Sequence, residues 1–87
     1  KSIIIYKEEI KLNLNLRKFR KGDIIYPLEK KKKKLISKYY KDQKMSFFDK
    51  QNQWLLCNQD EVIWIVGERV DRRYFKSKKA SIKIDVL

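Results

Sequence analysis

The chain has 87 residues, 23 of them Lys or Arg against 11 Asp or Glu, for a net charge of +12. A domain of this size builds one thin core with no room for a deep enclosed active site; with no His and a single Cys it lacks the usual zinc constellations and the Ser/His and Cys/His nucleophile systems. The cationic excess suits a polyanion, nucleic acid or an acidic membrane face, but 18 of the cations are Lys and 11 residues are Ile, a pattern that A+T-biased coding produces unaided, so the five arginines, Arg17, Arg20, Arg69, Arg72 and Arg73, carry the stronger signal.

The opening run SIIIYK is apolar and β-branched, and residues 10–17 (IKLNLNLR) alternate apolar and polar side chains. Both read as strands. Gly22-Asp23 then marks a turn: Gly22 can take a positive φ and Asp23 can bond a nearby amide. That turn carries Arg20 and Lys21. A short β stretch, IIY, ends at Pro27, and the charged run at 29–34 reads as a solvated loop or helix entry. From about 34 to 44, Leu35, Ile36, Tyr39 and Tyr40 recur at helical spacing as one apolar face, with Lys34, Lys38 and Lys41 off it. Both tyrosines are expected in the core rather than on a stacking platform.

Ser46, three residues before Asp49, resembles a capping box and opens a second, short helix. WLLC (54–57) and VIWIV (62–66), separated by NQDE, read as a hairpin with Trp54 and Trp64 in the core and Asp60 and Glu61 as solvated tip residues. Cys57 is expected to be a small buried hydrophobe. With no partner for a disulfide it points to a reducing, cytoplasmic setting. Gly67 ends the hairpin, a basic connection follows, and SIKIDV alternates as a last strand. The sum is a small α+β domain, mostly antiparallel sheet, with two helices inserted between the N-terminal strands and the hairpin. The chain opens on Lys1 with neither signal peptide nor membrane span in view, so residues 1–87 read as one domain excised from a longer protein.

No glycine-rich phosphate loop is present, since Gly22 and Gly67 are far apart, and no carboxylate pair is placed for acid–base chemistry. Neither catalytic residues nor a metal or cofactor are expected in this segment. The interleaving of cations and aromatics in GERVDRRYF is more informative: guanidinium forks suit phosphate oxygens, and neighbouring rings can stack on bases. The alternative is structural, with Asp71 shaping a turn and pairing with Arg69 or Arg73 while Tyr74 and Phe75 fill the core. The balance is even for Arg69 and favours RNA contact for Arg72 and Arg73. Arg20, Lys21, Lys34 and Lys38 complete the candidate RNA-binding set, and Gly22, Asp23, Gly67 and Asp71 are its turn-shaping residues.

These motifs in order, FRKGDIIYPL, KLISKYYKDQKM, WLL and VIWIVGERVDRRY, resemble the C-terminal domain of bacterial tRNA(Ile)-lysidine synthase over roughly residues 16–75. The family shows F-R-P-G-D-R, then P-L, an aromatic pair with Asp and Lys, and I-W-V-x-G-x-R-I-D-x-R-F. Ile63-Trp64 and Gly67, Arg69, Val70, Asp71, Arg73 and Tyr74 follow the last pattern without a gap. Lys21 and Ser46 stand where Pro is usual, and Lys50 where Arg is common. The resemblance implies a parent enzyme that uses ATP to join lysine to the wobble cytidine of an isoleucine tRNA precursor, with ATP and chemistry in an N-terminal catalytic domain. This domain would grip the tRNA, notably toward the acceptor stem; a homodimer of the parent stays open, and no membrane partner is implied. A structural or protein-interaction module with no RNA contact is the alternative.

Overall fold

The computed structural model describes residues 1–6, 13–29, 31–74 and 81–86. The expected strand over 10–17 is seen from Leu14 to Arg17, and its first residues, with Lys30 and Phe75, lie outside the described residues. In chain order the elements are β1 (Ser2–Tyr6), β2 (Leu14–Arg17), β3 (Ile24–Ile25), β4 (Lys34–Leu35), α1 (Ile36–Asp42), α2 (Phe47–Asn52), β5 (Leu55–Asn58), β6 (Glu61–Ile65) and β7 (Ser81–Asp85). This is the α+β domain expected, with every strand pairing antiparallel and both helices between β4 and β5.

The hairpin β5–β6 is the middle of the molecule. Its runs are almost continuously apolar because both faces are covered, a pattern that a half-solvated strand would not show. Leu55, Cys57, Val62 and Ile65 face one way and pack with Ile25, Ile36, Tyr39 and Tyr40. Leu56, Ile63, Trp64 and Val66 face the other way, with Ile3, Val70 and Tyr74. Ile63 and Trp64 are consecutive yet share a face, which strict alternation forbids. The cause is a bulge: Leu56 pairs with Trp64 and Cys57 with Val62, so Ile63 is the extra residue that resets the phase.

Three layers result. The β1–β7 ribbon covers one face of the β2–β5–β6 sheet, and α1 with β3–β4 covers the other. The ribbon joins the chain ends in register from Ser2↔Asp85 to Tyr6↔Ser81, and the Lys1 and Val86 backbones exchange hydrogen bonds beyond it.

Helix α1 begins later than the apolar spacing predicts. Lys34 and Leu35 instead pair with Ile25 and Ile24 as β4, and the Ile36 amide is taken by the Asp23 carbonyl, so the helix cannot start before Ile36. Leu35 is consequently exposed rather than part of the helical core face. In α2 the box is complete: the Asp49 amide donates to Ser46 Oγ and the Ser46 amide to the Asp49 carboxylate. That local bonding holds a six-residue helix that buries none of its residues.

Tyr40 is buried, and its hydroxyl has no hydrogen-bond partner among the described residues. Burial, reinforced by the Asp23 charge, pushes its pKa up to about 12. Tyr40→Phe removes a hydroxyl that was desolvated for little return, so urea unfolding should show stability unchanged or raised by up to about 1 kcal/mol. A loss larger than that would reveal a bonded hydroxyl.

Candidate nucleic-acid interface

Two glycine turns built alike project the cationic segments. In the first, the Asp23 amide donates to the Arg20 carbonyl with Gly22 third, at φ 93°. In the second, Glu68 donates to Ile65 with Gly67 third, at φ 79°. A positive φ at the third position is what a type II turn needs. The second turn folds the chain back on β6, where Ile65 donates to the Arg69 carbonyl and Val70 bridges Trp64. Arg20 and Lys21 are thereby set on the exposed surface at one turn, and Arg69 at the other.

Asp23 does more than shape its turn. Its carboxylate takes both terminal nitrogens of Arg17 at 2.8 Å and the Arg20 amide at 2.7 Å. Burial alone would raise the Asp23 pKa, but the Arg17 guanidinium and the Arg20 amide outweigh it and the net shift is downward. Arg17 responds in the opposite sense, raised chiefly by its bond to Asp23.

Asp71 is fully buried and organises the second cluster. It accepts from the Tyr26 amide, the Arg73 amide, and Arg73 Nε and Nη2, the last at 2.8 Å. Arg73 Nη1 also reaches Glu61 at 3.1 Å, and its guanidinium lies 4.2 Å from the centre of the Tyr26 ring. The bond to Asp71 raises the Arg73 pKa against the effect of burial. Of the two readings of GERVDRRYF, the paired one therefore describes Arg73 and Asp71, while Arg69 makes no ion pair with Asp71. Tyr74 is buried, and its hydroxyl bonds Glu61. Glu61 is thus not the solvated tip residue expected of it, because the fold brings Arg73 and Tyr74 onto it. Asp60 is exposed.

The remaining cations gather around Tyr39 and Tyr26. Lys34 Nζ and the Arg69 guanidinium stand 6.0 and 5.9 Å from the centre of the Tyr39 ring, at the outer limit of cation–π attraction. Burial and the neighbouring Glu68 raise the Tyr39 pKa despite Arg69. Lys34 also pairs at 2.7 Å with the exposed Asp42, a bond of small net worth. Arg72 lies over Tyr26 at 5.3 Å and donates to the Lys31 carbonyl, while its amide donates to Tyr26. Since Ile25, Pro27, Glu29, Lys34, Tyr39, Gln43 and Arg69 line one depression, the segment from β3 to Pro27 links the two groups, with Glu29 as an acid on the same rim. Lys38 is exposed on α1 and makes no ion pair among the described residues.

The sequence reading missed a second basic and aromatic surface. Trp54, expected in the core, is 44% exposed: it precedes β5, outside the two-faced hairpin, and Lys18 Nζ sits 3.9 Å over its ring. Phe47 and Phe48 are 74% and 72% exposed on α2. The adjacent FF pair in a stretch with no apolar periodicity was the available signal.

Among the described residues no helix is long and apolar enough to cross a membrane. Residues 13–86 match the family model described as the TilS substrate C-terminal domain. The chain is 41% identical over 73 residues to a tRNA(Ile)-lysidine synthase of Parabacteroides distasonis, covering 82% of this chain and 17% of the relative. It is 41% identical over 66 residues to that of Bacteroides thetaiotaomicron, covering 74% and 16%, and 32% identical over 71 residues to one from Porphyromonas gingivalis, covering 82% and 16%. The chain thus spans only 16–17% of the length of these relatives. No solved structure matches it.

Proposed function

The chain belongs to the family of TilS substrate C-terminal domains, and on that premise we propose that it is the tRNA-holding domain of a tRNA(Ile)-lysidine synthase. The parent would use ATP, bound by a catalytic domain not in this chain, to join lysine to the wobble cytidine of an isoleucine tRNA precursor in the cytoplasm. The domain's share is recognition: A-form RNA closes its major groove to side chains, so an acceptor stem would be gripped by shape, phosphates and 2′-hydroxyls.

The observation that carries this reading is the pairing of Lys34 and Arg69 at the Tyr39 ring, with Arg72 nearby over Tyr26. Arg69 is exposed, and Lys34 gives up only a surface ion pair to take a phosphate. Arg20, Lys21 and Lys38 are further exposed cations open to phosphates, whereas Arg73 is engaged by Asp71 and Glu61. A module without RNA contact, docking only against its parent or a second copy in a homodimer, is the competing reading.

Filter binding of a tRNA transcript at graded salt separates them. With about four to six phosphates engaged, log affinity should fall against log salt with a slope of about −3 to −5. Lys34→Ala with Arg69→Ala should weaken binding roughly ten- to thirtyfold and flatten the slope by about 2 without lowering the unfolding midpoint. Salt-independent binding, or a double variant that binds like wild type, would refute the proposal.

A further inference from the structure

A cleft of about 700 Å³ opens between α1, α2 and the segment after β2. Lys18, Phe19, Tyr40, Phe47, Phe48 and Lys50 line it, and no acidic residue does. Its two outer phenylalanines are the most exposed large apolar side chains among the described residues. The capping box, not core packing, fixes the helix that carries them: Asp49 is turned back to Ser46 and away from cancelling the lysines. Solvent-facing aromatic rings whose only charged neighbours in the cleft are cations, beside the neutral Ser37, Gln51 and Asn52, suit one kind of ligand well, a planar base attached to a phosphate. An apolar partner protein would use the rings but gain nothing from Lys18 and Lys50. The volume is that of a pocket for a single small ligand.

We propose that this cleft holds an unpaired nucleotide of the bound RNA, its base stacked on Phe47 or Phe48 and its phosphate beside Lys18 and Lys50. The inference rests on the RNA-binding reading and adds a second contact of different chemistry: the Lys34 and Arg69 surface grips a duplex backbone, and the cleft takes a base outside the duplex.

The test titrates the chain with a blunt RNA hairpin and with the same hairpin bearing a four-nucleotide single-stranded 3′ tail. The tailed probe should bind about tenfold tighter. Phe47→Ala with Phe48→Ala should erase that advantage and leave the blunt hairpin's affinity unchanged. Both rings are over 70% exposed, so the variant should keep the wild-type unfolding midpoint. Equal binding of both probes by the wild-type chain overturns the inference alone, while binding of neither overturns the RNA-binding reading with it. If the variant keeps its preference for the tail but loses self-association in light scattering, the cleft is a protein-docking surface and the inference falls.

Discussion

Replacing Asp71 with Ala should destabilise the domain by about 3 to 4 kcal/mol, the range for removing one partner of a buried pair. The carboxylate is fully buried and accepts four hydrogen bonds, from two backbone amides and two guanidinium nitrogens. Without it, the Tyr26 amide loses its acceptor and Arg73 keeps only Glu61 among the carboxylates now holding it. For a domain of this size the loss should lower the melting temperature by about 12 to 30 °C, readable by circular dichroism. Asp71→Asn should do less damage, since an amide oxygen still accepts from backbone donors but no longer balances the guanidinium charge. A melting temperature within 3 °C of wild type for the Ala variant would show that the Asp71 bonds contribute no net stability.

The second large effect belongs to Asp23. Asp23→Ala removes a bidentate partner from Arg17, whose side chain is only 12% exposed, and unties the Arg20 amide. Charge-assisted bonds of this kind place the cost at about 2 to 3 kcal/mol. The linkage has a definite sign. The folded-state pKa of Asp23 is depressed, so its contribution is fully present above the unfolded value near 4 and is lost as pH falls through the folded value. Wild-type stability should therefore drop below about pH 4, and the variant's should drop less over the same window. Parallel acid profiles in urea titrations would refute this assignment.

Most of the architecture was legible because local chemistry and long-range packing agree. Gly22 and Gly67 sit where a positive φ is required, Ser46 and Asp49 close on each other within one helical turn, and the two apolar runs announce the strands of a hairpin. What the sequence hid lies between distant residues. The bulge at Ile63 shows only once β5 is paired with β6, and Leu35 reads as helical until β3 is placed beside it. At the candidate site, composition pointed to the arginines but could not divide them: Arg73 and Arg72 are adjacent, yet one is held by Asp71 and Glu61 and the other by the Lys31 carbonyl and the Tyr26 ring. Trp54 failed for a related reason. An apolar run gives its own length but not the residue at which the chain enters the sheet, and Trp54 stands one position outside it.

The ribbon that joins both ends of the chain has a kinetic consequence. Bringing those ends together closes a loop as long as the polypeptide itself, at an entropic cost of about 4 kcal/mol against about 3 kcal/mol for closing β2 on β5, the largest such cost among the described strand pairings. The hairpin and its flanking helix can form before that cost is met, so the ribbon zips late and acts as a latch. When it lifts, Ile3 leaves Trp64 and Val70 open to water, and the amide of Ile84 should exchange with deuterium sooner than that of Ile65.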